Sequence, residues 1–167
     1  SATNECRTIM PLADNDFSDA DVRGEVFDGE DLRDANFSNA RVFGADQCGD
    51  FDFGPWQVAS FRNANLQGAN FSDVNFNGPD ELERVVHFSG SDLSDAIFGP
   101  SDPTVWADLR SIQFVGSTLT NAILNFDNVI LVNFTYADLT GAEFREGHNN
   151  SDTIFSNTIC PDGTNSD

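Results

Sequence analysis

Two histidines, three cysteines and a run of closely spaced aspartates are the residues whose chemistry has to be weighed first. His87 and His148 stand far apart, and neither lies in an HExxH helix or beside a CxxC pair, the spacings that bring zinc ligands together. Asp14, Asp16, Asp19 and Asp21 have the density of a calcium loop, yet the glycine on which such a loop turns is missing. No catalytic constellation appears, so the sequence points to no catalytic residue, no metal site and no cofactor, and enzyme activity is not expected. Asn-X-Ser/Thr triplets occur at Asn36, Asn70, Asn133 and Asn149, but the first three repeat one local motif and carry no separate message.

The aspartates belong to a wider imbalance. The chain has 28 acidic residues against 8 basic ones, all of them Arg, for a formal charge of −20. Affinity for phosphates rests on Lys and Arg, so direct binding of nucleic acid is not expected. No apolar run approaches the roughly 18 residues a membrane helix needs, so no membrane span is expected. The acids are densest between Asp14 and Asp34, where Arg23 and Arg33 are the only cations. The candidate acidic interaction face is therefore Asp14, Asp16, Asp19, Asp21, Asp28, Asp31 and Asp34.

What must position these residues follows from a second imbalance, 16 Phe against 1 Tyr and 2 Trp. The Phe residues recur with a period of five. From Met10 the blocks read MPLAD, NDFSD, ADVRG, EVFDG, EDLRD, ANFSN and ARVFG, and the third residue is always large and apolar. The register slips at 45–48, resumes through GDFDF, GPWQV, ASFRN, ANLQG, ANFSD and VNFNG, and is interrupted again at 79–85 and 101–106. An unbroken run then extends from Ala107 to Pro161. Asn149 is the single polar third position, and Ala dominates the first position.

A period of five matches neither a helix at 3.6 nor a strand at 2. The chain must therefore turn every five residues. Four blocks, bending by about a right angle at each end, close a square coil of about 20 residues with every third position pointing inward. Successive coils stack through backbone hydrogen bonds at about 4.8 Å. Asp, Asn, Ser and Gly at the fourth and fifth positions suit the corners, where side-chain oxygens can bond backbone N–H groups. Residues 1–9 are expected to be an N-terminal cap, 10–161 the repeat with irregular sides at 45–48, 79–85 and 101–106, and 162–167 a polar tail.

Blocks such as ANLQG, ANFSD, SDLSD and ADLTG resemble the A(D/N)LXX consensus of pentapeptide repeat proteins. The resemblance covers residues 10–161. It implies an all-β fold, a right-handed quadrilateral β-helix, here of about seven and a half coils and about 35 Å long.

Departures from the pattern raise separate expectations. Glu25, Glu30, Asp127 and Asp152 occupy first positions, which should be small and buried; exposure at corners is the favoured reading, beside a partner such as Arg23 or Arg33 for each or a different local register. Cys6 and Cys160 belong to opposite ends of the rod, too far apart for a disulfide. Cys6 could reach Cys48 if the N-terminal segment folds back, and that pair is the candidate disulfide, with free thiols the other reading. Cys160 falls at a fourth, outward position.

Two functional readings remain open, beside one in which the acids only keep a long rod soluble. The favoured one is a non-enzymatic acidic scaffold that binds a protein partner in an extracytoplasmic compartment. It draws on the start at SATNEC without an initiator Met, and on family members that occur in cyanobacteria and in the thylakoid lumen. The alternative is a cytoplasmic DNA mimic of the kind that binds DNA gyrase. Such members are typically dimers joined through a C-terminal helical extension, which PDGTNSD does not resemble.

Overall fold

The structure is a computed structural model that describes residues 15–45, 56–76, 85–102, 104–105, 107–145 and 152–167, with backbone alone at 43–45 and 56–57. Among the described residues the short strands are β1 (Phe43–Ala45), β2 (Trp56–Val58), β3 (Asn70–Ser72), β4 (Ile97–Gly99), β5 (Asp108–Arg110), β6 (Ile123–Leu124), β7 (Asn128–Ile130) and β8 (Glu143–Phe144). β3, β4, β6 and β8 form one parallel sheet, β5 and β7 another, and parallel bridges link the remaining levels. The coil is right-handed, the hand that connections between parallel strands take almost without exception.

Most of the described corners are built the same way. The first-position N–H donates to the third-position carbonyl of the block before it, as from Ala20 to Phe17 (3.1 Å) and from Ala122 to Leu119 (3.0 Å). The fifth-position residue inside that turn has positive φ, as at Asp19 (58°), Asp34 (56°), Asn63 (55°) and Gly141 (69°). One positive φ at the third turn residue is the type II pattern, which Gly, Asn and Asp tolerate best. The side-chain oxygen that closes the corner comes from the second position rather than from the fourth or fifth. Asp16, Asn36, Asp92, Asn133 and Asp138 accept the fourth-position N–H at 2.9–3.1 Å.

Levels are joined by third-position N–H groups donating to second-position carbonyls one coil on, such as Phe37 to Asn70 (2.7 Å) and Phe61 to His87 (2.8 Å). Where nothing intervenes, bridged residues lie 20 apart, as Asp16 with Asn36 and Gln113 with Asn133. Four inward columns result. Face one carries Phe17, Phe37, Phe71, Phe98, Leu124 and Phe144, and face two carries Val22, Val42, Phe76, Leu109 and Val129. Face three carries Phe27, Phe61, Phe88, Phe114, Phe134 and Phe155. Face four carries Leu32, Leu66, Leu93, Leu119, Leu139 and Cys160. These positions are buried except for the half-buried Phe27, Phe144, Phe155 and Cys160.

The interruptions depart from the block pattern. Val26 bridges Ser60, 34 residues on, so 14 residues leave the coil between faces two and three. There β1 pairs antiparallel with β2, although two regular blocks are expected over 49–58, of which 49–55 lie outside the described residues. The next offsets, 27 for Ser60 with His87 and 26 for His87 with Gln113, exceed 20 by seven and six. The irregular stretches are thus added to complete coils and do not form sides of them. In the last coil Asn133 bridges Ile154 and Asp138 bridges Ile159, each 21 apart. That single extra residue turns Phe155 inward, leaves Ile154 and Ile159 exposed, and moves Cys160 from the expected fourth position to the third.

Asp127 also departs from expectation. It is buried, accepts a hydrogen bond from the Ala107 N–H (2.8 Å) and lies 3.4 Å from Arg145, so its charge is compensated inside. Glu30 and Asp152 are exposed and Glu25 is half-buried. The tail turns at Asp162–Gly163 and pairs back antiparallel, Ile159 with Asn165. The Cys160 N–H reaches the Thr164 carbonyl (2.7 Å) and the Ser166 N–H reaches that of Thr158 (2.9 Å), which satisfies the last edge of face four.

The Phe columns form the centre of the core. On face three successive rings stack with centroids 5.0, 5.0, 5.3, 5.3 and 5.4 Å apart, close to the strand spacing. Rings of face one meet them edge-on, as Phe37 with Phe61 (5.3 Å, 88°) and Phe71 with Phe88 (5.3 Å, 83°). Such pairs add to the area they bury. Replacing Phe88 by Ala should cost about 4 kcal/mol in guanidinium unfolding, and a loss under about 1 kcal/mol would contradict this packing. Tyr136 occupies a corner with φ of 60° and is 66% exposed. Tyr136→Asn should therefore raise stability by about 1 kcal/mol, and no gain would mean that the corner conformation is unstrained.

Candidate interaction faces

The acidic stretch does not make one face. Asp16 lies on face one, Asp21 on face two, Asp28 on face three and Asp31 on face four, while Asp19 and Asp34 occupy corners. These carboxylates encircle the first level of the rod as a girdle. Asp14, Cys6 and Cys48 lie outside the described residues.

Arginines offset part of the girdle. Arg23 grips Asp21 with two nitrogens. Arg33 grips Asp31 in the same two-pronged way at 2.9 and 2.8 Å. Asp28 accepts the Ser60 hydroxyl (2.6 Å) and the Arg62 N–H (2.8 Å) from the next level. The Ser18 backbone N–H, and then its side chain, hold Asp16 below the ordinary 3.8. For Asp21, burial pushes upward, but the Arg23 hydrogen bonds outweigh it and the net shift is down. The Arg33 side chain lowers Asp31, and the side-chain and backbone donors of Thr164 lower Asp162. On face three, burial and then the Arg62 cation hold His87 below 6.5, against a smaller opposing pull from Asp28.

Beyond the first level the acids fall into line. Asp31, Asp92 and Asp138 take second positions on face four at alternate levels, with Asp34, Asp95 and Asp162 along its outer corner. Among the described residues of its blocks, Arg33 is the sole cation. Gln67 steadies Asp92 (2.6 Å), and Thr140 donates to Asp138 from its N–H (2.9 Å) and hydroxyl (2.6 Å). This ridge was missed in the sequence, because every interruption counted as a side rotates all later residues onto the wrong face. Two related blocks, EDLRD and SDLSD, were the available signal.

Other features are modest. A cleft of about 210 Å³ lies between face two and the residues Pro100 and Val105. Its two carboxylates are engaged, Asp73 by the Ser101 N–H (2.9 Å) and Asp108 by Asn128 (2.6 Å). Among the described residues no group of three or more His, Cys, Asp or Glu is arranged to hold a metal ion. No described helix is long and apolar enough to cross a membrane.

A family model described as pentapeptide repeats matches in eight copies over residues 14–46, 57–78 and 112–146. No curated protein sequence matches the chain. Among solved structures, the chain is similar to HetL, a pentapeptide repeat protein involved in heterocyst differentiation regulation in the cyanobacterium Nostoc sp. strain PCC 7120. That likeness has 22% identity and a TM-score of 0.40, over 90% of this chain and 59% of HetL. A pentapeptide repeat protein of the Arabidopsis thaliana thylakoid lumen is 22% identical with a TM-score of 0.34, over 77% of this chain and 67% of that one. A trypsin-treated form of QnrB1, a plasmid-mediated fluoroquinolone resistance protein, is 19% identical with a TM-score of 0.42, over 81% and 67%.

The lowered carboxyls set a pH dependence. A group whose folded value lies below its unfolded value stabilises fully above the unfolded value, and the contribution is lost as pH falls through the folded one. Asn can accept the same N–H bonds without titrating, as Asn36 does for Ser38 (3.1 Å). The Asp16→Asn, Asp162→Asn variant should lose less melting temperature than the parent between about pH 4 and about pH 2. Parallel losses in the two proteins would contradict the assignment.

Proposed function

The chain belongs to the pentapeptide repeat family, and from that premise we propose that it is a non-enzymatic scaffold whose acidic face four docks a basic segment of a protein partner. The observation that carries this reading is the ridge of Asp31, Asp92 and Asp138, with corner acids beside it and Arg33 as the only described cation of that face. Alternate levels are about 9.6 Å apart, within reach of successive basic side chains on an extended chain. Attraction of this kind speeds encounter and fixes register more than it adds affinity, and it weakens as salt rises. The same proposal places the protein in an extracytoplasmic compartment, where a bridge between Cys6 and Cys48 would persist.

The test is an affinity pull-down from native lumenal and cytosolic fractions at low and high salt. A basic partner should be retained from the lumenal fraction and released as salt rises. The Asp92→Asn, Asp95→Asn, Asp138→Asn variant should lose it while keeping its fold, because Asn65 and Asn121 already occupy equivalent places. Retention unchanged by these substitutions would overturn the docking face. Inhibition of DNA gyrase supercoiling by the protein at micromolar levels would overturn the scaffold reading in favour of DNA mimicry.

A further inference from the structure

Face three carries four consecutive blocks without a charged residue. The chain has a formal charge of −20, yet the blocks of face three at 86–90, 112–116, 132–136 and 153–157 contain no Asp, Glu, Lys or Arg. Its outward second positions run, from first level to sixth, Val26, Ser60, His87, Gln113, Asn133 and Ile154. The series is symmetric in kind, aliphatic at both ends and neutral polar between. Val26 is 70% exposed and Ile154 48%, although each is an aliphatic side chain on a stacked sheet.

We propose that face three docks a second copy of this chain, antiparallel, about a two-fold axis that crosses the rod between levels three and four. Such an axis sets level one on level six, two on five and three on four, and keeps second positions over second positions. Val26 then meets Ile154 of the other copy, Ser60 meets Asn133, and His87 meets Gln113. Both exposed aliphatic residues are covered, and each neutral polar group faces another that can share a hydrogen bond. Fourth positions agree as well, since Asp28 faces Ser156 and Arg62 faces Thr135, so no charge is set against its like. A parallel pairing would instead crowd the Glu25 and Asp28 carboxylates of both copies together. Antiparallel docking separates those two groups by five coil spacings, about 24 Å, well beyond the Debye length of about 8 Å at physiological salt.

The size of the face sets the strength. Six levels of a five-residue side outline about 16 Å by about 29 Å, or about 460 Å² per copy, below the roughly 800 Å² per partner of a standard interface. The dimer is weak and concentration-dependent. It also has a distinctive salt response, because the girdles and acidic ridges of the two copies repel. Added salt strengthens this association, the opposite of what it does to a basic partner on face four.

Sedimentation equilibrium tests the proposal. As protein and salt rise to about 0.5 M ionic strength, the average mass should climb from 18.2 kDa toward twice that value. Ile154→Asp, at an exposed site, should weaken the dimer at least tenfold, whereas Ile159→Asp, 37% exposed on face four, should leave it unchanged. In a background with Cys6, Cys48 and Cys160 replaced by Ser, the Val26→Cys, Ile154→Cys variant should close into a covalent dimer on oxidation. These two positions lie five levels apart within one rod, so one copy cannot bridge them. Monomer mass under all conditions, absence of the covalent dimer, or a dimer indifferent to Ile154→Asp would each overturn the proposal.

Discussion

A residue in the left-handed conformation at the end of most five-residue blocks is the constraint on which the rest of this molecule depends. It bends the chain by a quarter turn, so that four blocks return it to the same face one level on. Residues such as Asp19, Asn63 and Gly141 accept that conformation at low cost, and the second-position Asp or Asn ties off the corner from outside. Everything inward is then determined by stacking. One side chain per block meets the one beneath it at nearly the strand spacing, and flat Phe rings take all but one place on face one and every place on face three, while Leu takes all but the last place on face four.

The same constraint explains which parts could be read from the sequence. Third positions up to Val42 were legible because their volume and period agree. Residues 49–58 misled because Phe51 and Trp56 fall on the five-residue spacing, while the bridge from Val26 to Ser60 leaves 14 residues out of the coil there and β2 pairs antiparallel with β1. The last coil misled for a related reason. Ile154 and Phe155 are neighbours, both are apolar, and a period alone cannot choose between them once the block around Asn149 has lost its signal. Ring stacking chooses, since Phe155 continues the column above Phe134 at 5.4 Å. Asp127 escaped because its partner Arg145 lies 18 residues away, close only after the coil has closed.

Function was less legible than fold, because it lives on the positions that the repeat leaves free. A local count of acids locates a dense stretch in sequence, but the coil spreads that stretch around all four faces. A face becomes acidic only when blocks separated by whole coils agree, as those carrying Asp31, Asp92 and Asp138 do. The interruptions, 14, seven and six residues beyond a 20-residue coil, decide which blocks share a face. Insertions in this rod therefore do more than decorate it. They set the angular address of every side chain that follows, and so divide the surface into an acidic face four and a face three that carries no charge beyond its second level.

Residue-resolved amide hydrogen exchange tests that register most directly. Slow exchange is predicted at the third-position amides of consecutive levels, including Phe61, Phe88, Phe114 and Phe134, whose donors are taken by the next coil at 2.8 to 2.9 Å. Slow fourth-position amides should appear at Ser94, Thr135 and Thr140, where a second-position Asp or Asn accepts them. Protection that follows no five-residue period, or that is uniformly weak through these levels, would contradict the account.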